Sequence, residues 1–262
     1  MSFALDRGLL YGDGFFTTIR VVDNKIHRWP LHLERLSFSA LRLKFHELDA
    51  NQIYHDLNEF IAQQSESDGV LRLTISRGES GKGERGYTIP KAPNYQFYMS
   101  WSPLDVSTLN KLKQGVALSI CETPISQNKT LAGIKHLNRL DQVLASDEIA
   151  ENCFDSIMFN GKWLVSGTKS NIYFYLNNRW LTPKVNKAGV NGTVRRWLLE
   201  SQANVSESKF GLEILNRAEY CLVSNAIVGI IPVTQIQMAD KTHTFEPFPE
   251  INKLQSEYNK TL

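Results

Sequence analysis

Residues 130–149 read TLAGIKHLNRLDQVLASDEI, and Lys135 stands apart within them. Leu137, Leu140, Val143 or Leu144 and Ile149 recur near a 3.6-residue period, which predicts an amphipathic helix just after the lysine. Asn138 and Asp141 have the spacing of a capping pair at its start. Lys135 is therefore expected between Gly133 and the first helical turn. There, His136 and Arg139 would be cationic neighbours favouring a neutral, nucleophilic amine. A lysine so placed suits condensation with an aldehyde.

The chain around this stretch is that of an ordinary globular protein. It has 262 residues, 42% apolar and 21% charged, enough for one large domain or two intimate ones with a real core. A formal charge of +2 gives no electrostatic case for nucleic acid or a membrane surface. Cys121, Cys153 and Cys221 are odd in number and scattered, which fits reduced thiols and a cytoplasmic address. No apolar run approaches the ~20 residues of a spanning helix. The histidines show no paired spacing and no cysteine at ligand distance, so no metal site is expected.

Taken in order, 15–22 and 25–29 read as strands around an Asp23-Asn24 turn. The glycine-rich run before them, residues 6–14, reads as non-helical. Helices are expected over 31–44, with Arg35 off its apolar face, and over 51–64; strands over 70–77 and 95–101. A polar segment, 105–114, joins two halves. Strands at 116–122, 156–159, 163–165, 171–176, 220–224 and 227–233 and a helix over 194–203 complete the pattern. Strands and helices mix without regular alternation, which makes this α+β. Gly81-Lys82-Gly83-Glu84-Arg85-Gly86 matches a dinucleotide-binding glycine pattern by letter. Tyr87-Thr88-Ile89-Pro90 follows where a helix start would be needed, so that reading is rejected.

Distant stretches converge on one chemistry. Asp6-Arg7-Gly8 with Tyr11-Gly12-Asp13-Gly14-Phe15-Phe16, His32-Leu33-Glu34-Arg35-Leu36, Gly133 to Arg139, Ala188-Gly189-Val190-Asn191-Gly192-Thr193 and Ser224-Asn225-Ala226 occur in this order. The set resembles the fold type IV pyridoxal-phosphate enzymes, a family that includes branched-chain and D-amino-acid aminotransferases and aminodeoxychorismate lyase. The resemblance spans nearly the whole chain. It implies two α/β domains, 1–106 and a larger 107–262 carrying the Schiff-base lysine, with pyridoxal 5′-phosphate between them.

By that resemblance Lys135 holds the cofactor. Arg35, Thr193, Val194, Asn225, Ala226 and Ile227 bind its phosphate, and Ser166 occupies the place of a glutamate that pairs with the pyridine nitrogen. Independently, a glycine loop opening a helix at Thr193 is what an anion needs. Thr17-Thr18, where the aminotransferases tend to have a glutamate, and Arg85-Gly86-Tyr87 resemble the lyase branch more closely. The implied substrate is a small cyclic dicarboxylic acid, for which Tyr11, Thr18, Arg20, Arg85 and Tyr87 are candidate donors. Thr18 is the candidate proton donor to the leaving group. A serine cannot supply the charge of a glutamate, which disfavours transamination. The family's habit implies a homodimer.

Overall fold

The computed structural model describes residues 5–46, 48–81 and 86–260. They are folded as α+β, in agreement with the sequence reading, and the chain packs as two units. The first comprises Met1–Leu104 together with Ile134–Asn138, the second Asp105–Gly133 with Arg139–Leu262. The lysine segment was expected to belong to the second half; by packing it belongs to the first.

Unit 1 contains α1 (Arg7–Tyr11), β1 (Gly14–Val22), β2 (Lys25–Ile26), α2 (Trp29–Arg42), α3 (Ala50–Ala62), β3 (Gly69–Ser76) and β4 (Gln96–Pro103). Its four strands form an antiparallel sheet in the order β2-β1-β3-β4. The turn between β1 and β2 has Asp23 and Asn24 both at positive φ, 49° and 59°, the conformation a two-residue hairpin favours. Phe15, Ile19 and Val21 alternate on β1 and meet Leu71, Leu73 and Ile75 of β3, Leu36 and Ala40 of α2 and Ile53, Leu57 and Ile61 of α3. The run expected to be too glycine-rich for a helix does form α1. Asp6 accepts from the Gly8 N–H at its start, and Gly12, at φ 65°, supplies the left-handed residue that ends it.

Unit 2 opens with α4 (Val106–Leu112), β5 (Val116–Ile120) and α5 (Leu140–Asp147). The polar joining segment is therefore helical, because Asp105 caps the N–H groups of Ser107 and Thr108. There follow β6 (Asp155–Asn160), β7 (Trp163–Gly167), β8 (Asn171–Leu176), β9 (Arg179–Pro183), α6 (Thr193–Ser201) and β10 (Val205–Ser208). After a 3-10 turn at Leu212–Asn216 come β11 (Tyr220–Asn225), β12 (Gly229–Gln237), β13 (Thr242–Thr244) and α7 (Ile251–Asn259). The mixed sheet runs β10-β9-β8-β11-β12-β5-β6-β7, with β13 paired to β12. One core gathers Ile157, Ile172, Phe174, Val223, Ile231 and Val233; another sets Val194 and Leu198 of α6 against Tyr173, Leu222 and Ile230. Among the described residues no helix is long and apolar enough to cross a membrane.

Candidate active site

Lys135 is held in extended backbone, not at the mouth of a helix. The β2 strand covers only Val21 and Val22 of β1, and residues 135–137 pair along the edge left open. The Phe16 N–H donates to the Lys135 carbonyl at 2.9 Å and the Leu137 N–H to that of Gly14 at 3.0 Å, with Phe15 opposite His136. Asn138 does not cap a helix; its Nδ2 donates to the Gly12 carbonyl at 3.1 Å. A Cβ on Gly12 would stand 2.5 Å from the Asn138 Oδ1, so this approach needs glycine. Asp141 does not complete the expected capping pair either, since its carboxylate accepts from the Ser126 N–H at 2.8 Å. Arg139 takes the cap position of α5 with no side-chain capping bond, its Nη1 donating to the Gln142 Oε1 at 3.4 Å, and burial lowers its pKa to about 10.

Strand alternation decides what faces the lysine. Residue 135 lies opposite Phe16, and its Nζ sits 4.5 Å from the centre of that ring. Thr18, two residues along β1, shares this face. Arg72 is directly across from Thr18 on β3, and its guanidinium lies 4.0 Å from the same Phe16 ring. Arg72, which the sequence reading did not single out, thus shares the Phe16 ring with Lys135; alternation turns His136 to the other side. A β3 arginine opposite Thr18 was findable only with the register in hand.

On the other face of β1, Thr17 is buried against α2. The helix buries His32, Arg35, Leu36, Ser39 and Ala40, so Arg35 lies on the packed face, contrary to expectation. Its Nη1 donates to the Thr17 Oγ1 at 3.3 Å, and the same oxygen lies 2.7 Å from the His32 Nδ1. Burial and the charge of Arg35 hold His32 well below the usual histidine pKa; burial with Arg20 and Arg28 lowers His27 to about 4.

The opening motif is a buried polar frame for the strand ends. Asp6 accepts from Ser76 at 2.6 Å and from the Tyr98 hydroxyl at 3.0 Å. Asp13 receives Arg7 and Arg77, each at 2.9 Å. Arg7 also donates to the carbonyls of Gly86 and Tyr87, which brings the Tyr87 and Tyr11 rings to 5.2 Å. Tyr87 is 85% exposed. Arg85 lies outside the described residues.

In unit 2 the glycine loop is tied to Gly133. The Gly133 N–H donates to Gly189 and its carbonyl accepts from Asn191, both at 3.0 Å. Asn171 donates to the Val190 carbonyl at 3.0 Å, and a Cβ on Gly192 would stand 2.1 Å from its Oδ1. Gly192 thus precedes α6 with no side chain to cap it, leaving the first-turn amides of Thr193, Val194 and Arg195 for a ligand. Thr193 is buried, and among the described residues its Oγ1 has no hydrogen-bond partner. An unsatisfied hydroxyl at an uncapped helix start fits a phosphate group. Arg195 is committed elsewhere, to Asn191, the Pro183 carbonyl and Glu207.

The second predicted phosphate loop is a tight turn, in which Asn225 accepts from the N–H groups of Ile227 and Val228 at 2.9 and 3.0 Å. The Ile227 amide is therefore already engaged, while Ala226 sits between the two. Ser166 is buried on β7 and donates to the Gly167 carbonyl at 2.8 Å. Beside it lies Asp155, fully buried, which accepts from Ser156 N–H, Thr168 N–H, the Thr168 hydroxyl and the Ser170 hydroxyl at 2.6–2.9 Å. Asp155 carried no motif signal in the sequence. The structure therefore places Lys135 and Thr18 on one face of the unit 1 sheet, and Tyr11 against Tyr87. Ser166, Thr193, Val194 and the Asn225 turn belong to unit 2.

Known proteins match this arrangement along its whole length. The structure of 4-amino-4-deoxychorismate lyase from Pseudomonas aeruginosa superposes with a TM-score of 0.88 at 31% identity, covering 100% of this chain and 95% of that one. The aminodeoxychorismate lyase of Vibrio harveyi is 29% identical over 97% of this chain and 94% of its own. The D-alanine aminotransferase of Staphylococcus epidermidis is also 29% identical, over 88% of this chain and 82% of its own. The model of the class IV aminotransferases matches residues 14–236, and with this fold and this degree of identity the chain belongs to the aminotransferase class IV family.

Proposed function

We propose that the protein is a pyridoxal-phosphate-dependent lyase that converts 4-amino-4-deoxychorismate to 4-aminobenzoate and pyruvate, a step of folate biosynthesis. The observation that carries this reading is the 31% identity to the Pseudomonas aeruginosa lyase across the full chain. The shared sheet face of Lys135 and Thr18 supports it.

When bound, pyridoxal phosphate supplies an aldehyde for the substrate amine and an electron sink for the carbon that loses its proton. The Thr193 hydroxyl and the first-turn amides of α6 would hold the phosphate, and the family resemblance assigns Arg35 as its cation. Lys135 would anchor the cofactor, and its free amine is the base that would take the proton from ring C4. As the bond from C3 to the ether oxygen breaks, Thr18 hands a proton to the departing enol, which becomes pyruvate. The ring is left aromatic, and that supplies driving force. Tyr11, Tyr87, Arg20 and Arg85 would serve the two carboxylates of the substrate, and Ser166 would hydrogen-bond the pyridine nitrogen by turning its one proton away from the Gly167 carbonyl.

The α5 helix leaves Leu140, Val143 and Leu144 exposed at 74%, 61% and 59%. These are the apolar positions that its sequence period would bury, and a second copy covering them would make the cytoplasmic enzyme a homodimer.

The 29% identity to D-alanine aminotransferase supports a second reading, transamination of D-amino acids. Ser166 counts against it, because a transaminase must stabilise a carbanion without an aromatising product. The deciding experiment is borohydride trapping of pyridoxal phosphate on the purified protein, with the labelled peptide mapped, followed by assay of 4-aminobenzoate release. Label on Lys135 with 4-aminobenzoate formed is the expected result. Label with pyruvate formed only from D-alanine and a keto acid would select the second reading, and no label would end both.

A further inference from the structure

The hydroxyl of Thr17 joins two side chains of α2. Thr17 is 0% exposed, and its Oγ1 lies 2.7 Å from the His32 Nδ1 and accepts from the Arg35 Nη1 at 3.3 Å. A guanidinium only donates, so Arg35 occupies one lone pair of that oxygen. Among the described residues the only acceptor in reach of the Thr17 proton is the His32 Nδ1. That ordering leaves Nδ1 bare and places the ring proton on Nε2. A ring protonated at Nδ1 would take the second lone pair of the Thr17 oxygen and strand the hydroxyl proton in the core.

We propose that Thr17 and His32 are a positioning pair for Arg35: His32, as the neutral Nε2–H tautomer, accepts the Thr17 proton, and the Thr17 oxygen orients the Arg35 guanidinium toward an anionic group. The identity of that anion, the cofactor phosphate, rests on the function proposed above; the proton order does not. Several observations converge on the pair. His32 and Arg35 are three residues apart on the buried face of α2, with Leu36, Ser39 and Ala40 completing that face. A polar hydroxyl sits at position 17 of a strand whose neighbours on the same side, Phe15 and Ile19, are core residues. Valine has the same branched shape as threonine and suits a strand equally, so only the hydrogen bonds distinguish the two here. The burial and the Arg35 charge that keep His32 uncharged act in the same direction. Donation into the imidazole polarises the hydroxyl and makes its oxygen a better acceptor for the guanidinium.

The first test reads the proton directly. In the full-length holoenzyme, long-range ¹H–¹⁵N correlation of the histidine rings, with His32 assigned by its disappearance in His32→Gln, is expected to show a bare Nδ1 and a protonated Nε2. A protonated Nδ1 overturns the proposal. The second test follows pyridoxal-phosphate retention on dialysis through its visible band. Thr17→Val is expected to weaken retention roughly tenfold, and Thr17→Ser to restore it. Equal retention by Thr17→Val and the unmodified chain overturns the positioning role. Arg35→Gln separates the two layers: undiminished retention there refutes the phosphate assignment, while the tautomer result stands on its own.

Discussion

The Lys135 Nζ stands 4.5 Å from the centre of the Phe16 ring because residue 135 is laid against residue 16 along the free edge of β1. The position of the lysine is thus set by backbone pairing, and its direction by the aromatic surface beneath it. Replacing that surface tests the arrangement. Phe16→Leu keeps the strand and most of the apolar burial but removes the ring that Lys135 and Arg72 share. A cation–π contact of this kind is worth about 0.5–2 kcal/mol. The expected outcome is a fall in kcat of roughly 3- to 30-fold, with borohydride still labelling Lys135. A kcat unchanged within error would show that the ring does not orient the amine.

Asp155 carries a comparable structural duty in unit 2. Its carboxylate gathers two hydroxyls and three backbone N–H groups, from the turn after β7 and from Ser156, and a Cβ on Gly167 would stand 2.2 Å from its Oδ2. Asp155→Asn substitutes a donor for one of those acceptors inside a fully buried site. Leaving one such group unmatched costs about 1–3 kcal/mol, which for a chain of this size lowers Tm by a few degrees per kcal/mol. Thermal unfolding followed by circular dichroism should show that loss, together with weaker cofactor retention, because Ser166 and Asn171 flank the same turn. A Tm equal to that of the unmodified chain would mean that the turn holds itself.

What the sequence disclosed followed from how local each signal is. The 15–22 strand, the Asp23-Asn24 turn and the Thr193 helix start were legible because their cues lie within a few residues. The lysine stretch was legible as chemistry but misread as structure. Leu137, Leu140 and Val143 mimic a helix period, yet Leu137 pairs with Gly14 and Leu140 and Val143 stay exposed. Asn138 and Asp141 look like a cap, yet each finds a partner remote in sequence, Gly12 and Ser126. Arg72, Asp155 and the Thr17–His32 pair were silent for the same reason. Their meaning lies in which residue stands opposite, and register is not written in composition.

Two buried histidines make the stability depend on pH in a stated direction. His27 is lowered to about 4 by burial and by Arg20 and Arg28, and His32 lies well below its ordinary value through burial, Arg35 and His27. In the unfolded chain both return to about 6.5. Between pH 6.5 and 4 the unfolded state therefore binds more protons, and folding stability falls as the pH is lowered through that window. The slope fades above pH 6.5 and is lost by about pH 7.5, where the unfolded histidines too are neutral. Each proton is worth up to about 1.4 kcal/mol per pH unit. Urea unfolding at a series of pH values should show this decline, flattened in His27→Gln. An identical pH profile in that variant would remove His27 as a source.

Ser166 bears on reaction type, and the argument turns on charge. Its Oγ donates to the Gly167 carbonyl at 2.8 Å from a buried position on β7. Turned from that carbonyl, the hydroxyl can donate to a neutral pyridine nitrogen, whereas a carboxylate would hold that nitrogen protonated and deepen the electron sink. Elimination that yields an aromatic ring needs the deeper sink less than transamination does. Asp155 does not substitute for it, because its oxygens already serve Ser156, Thr168 and Ser170. Ser166→Glu is therefore expected to tighten cofactor retention and to raise pyruvate formation from D-alanine and a keto acid by roughly tenfold, one pKa unit of added stabilisation. Release of 4-aminobenzoate should change little. If neither retention nor transamination rises in a variant whose Tm is unchanged, serine at this position does not set the balance between the two reactions, and the preference must come from the residues around Thr18.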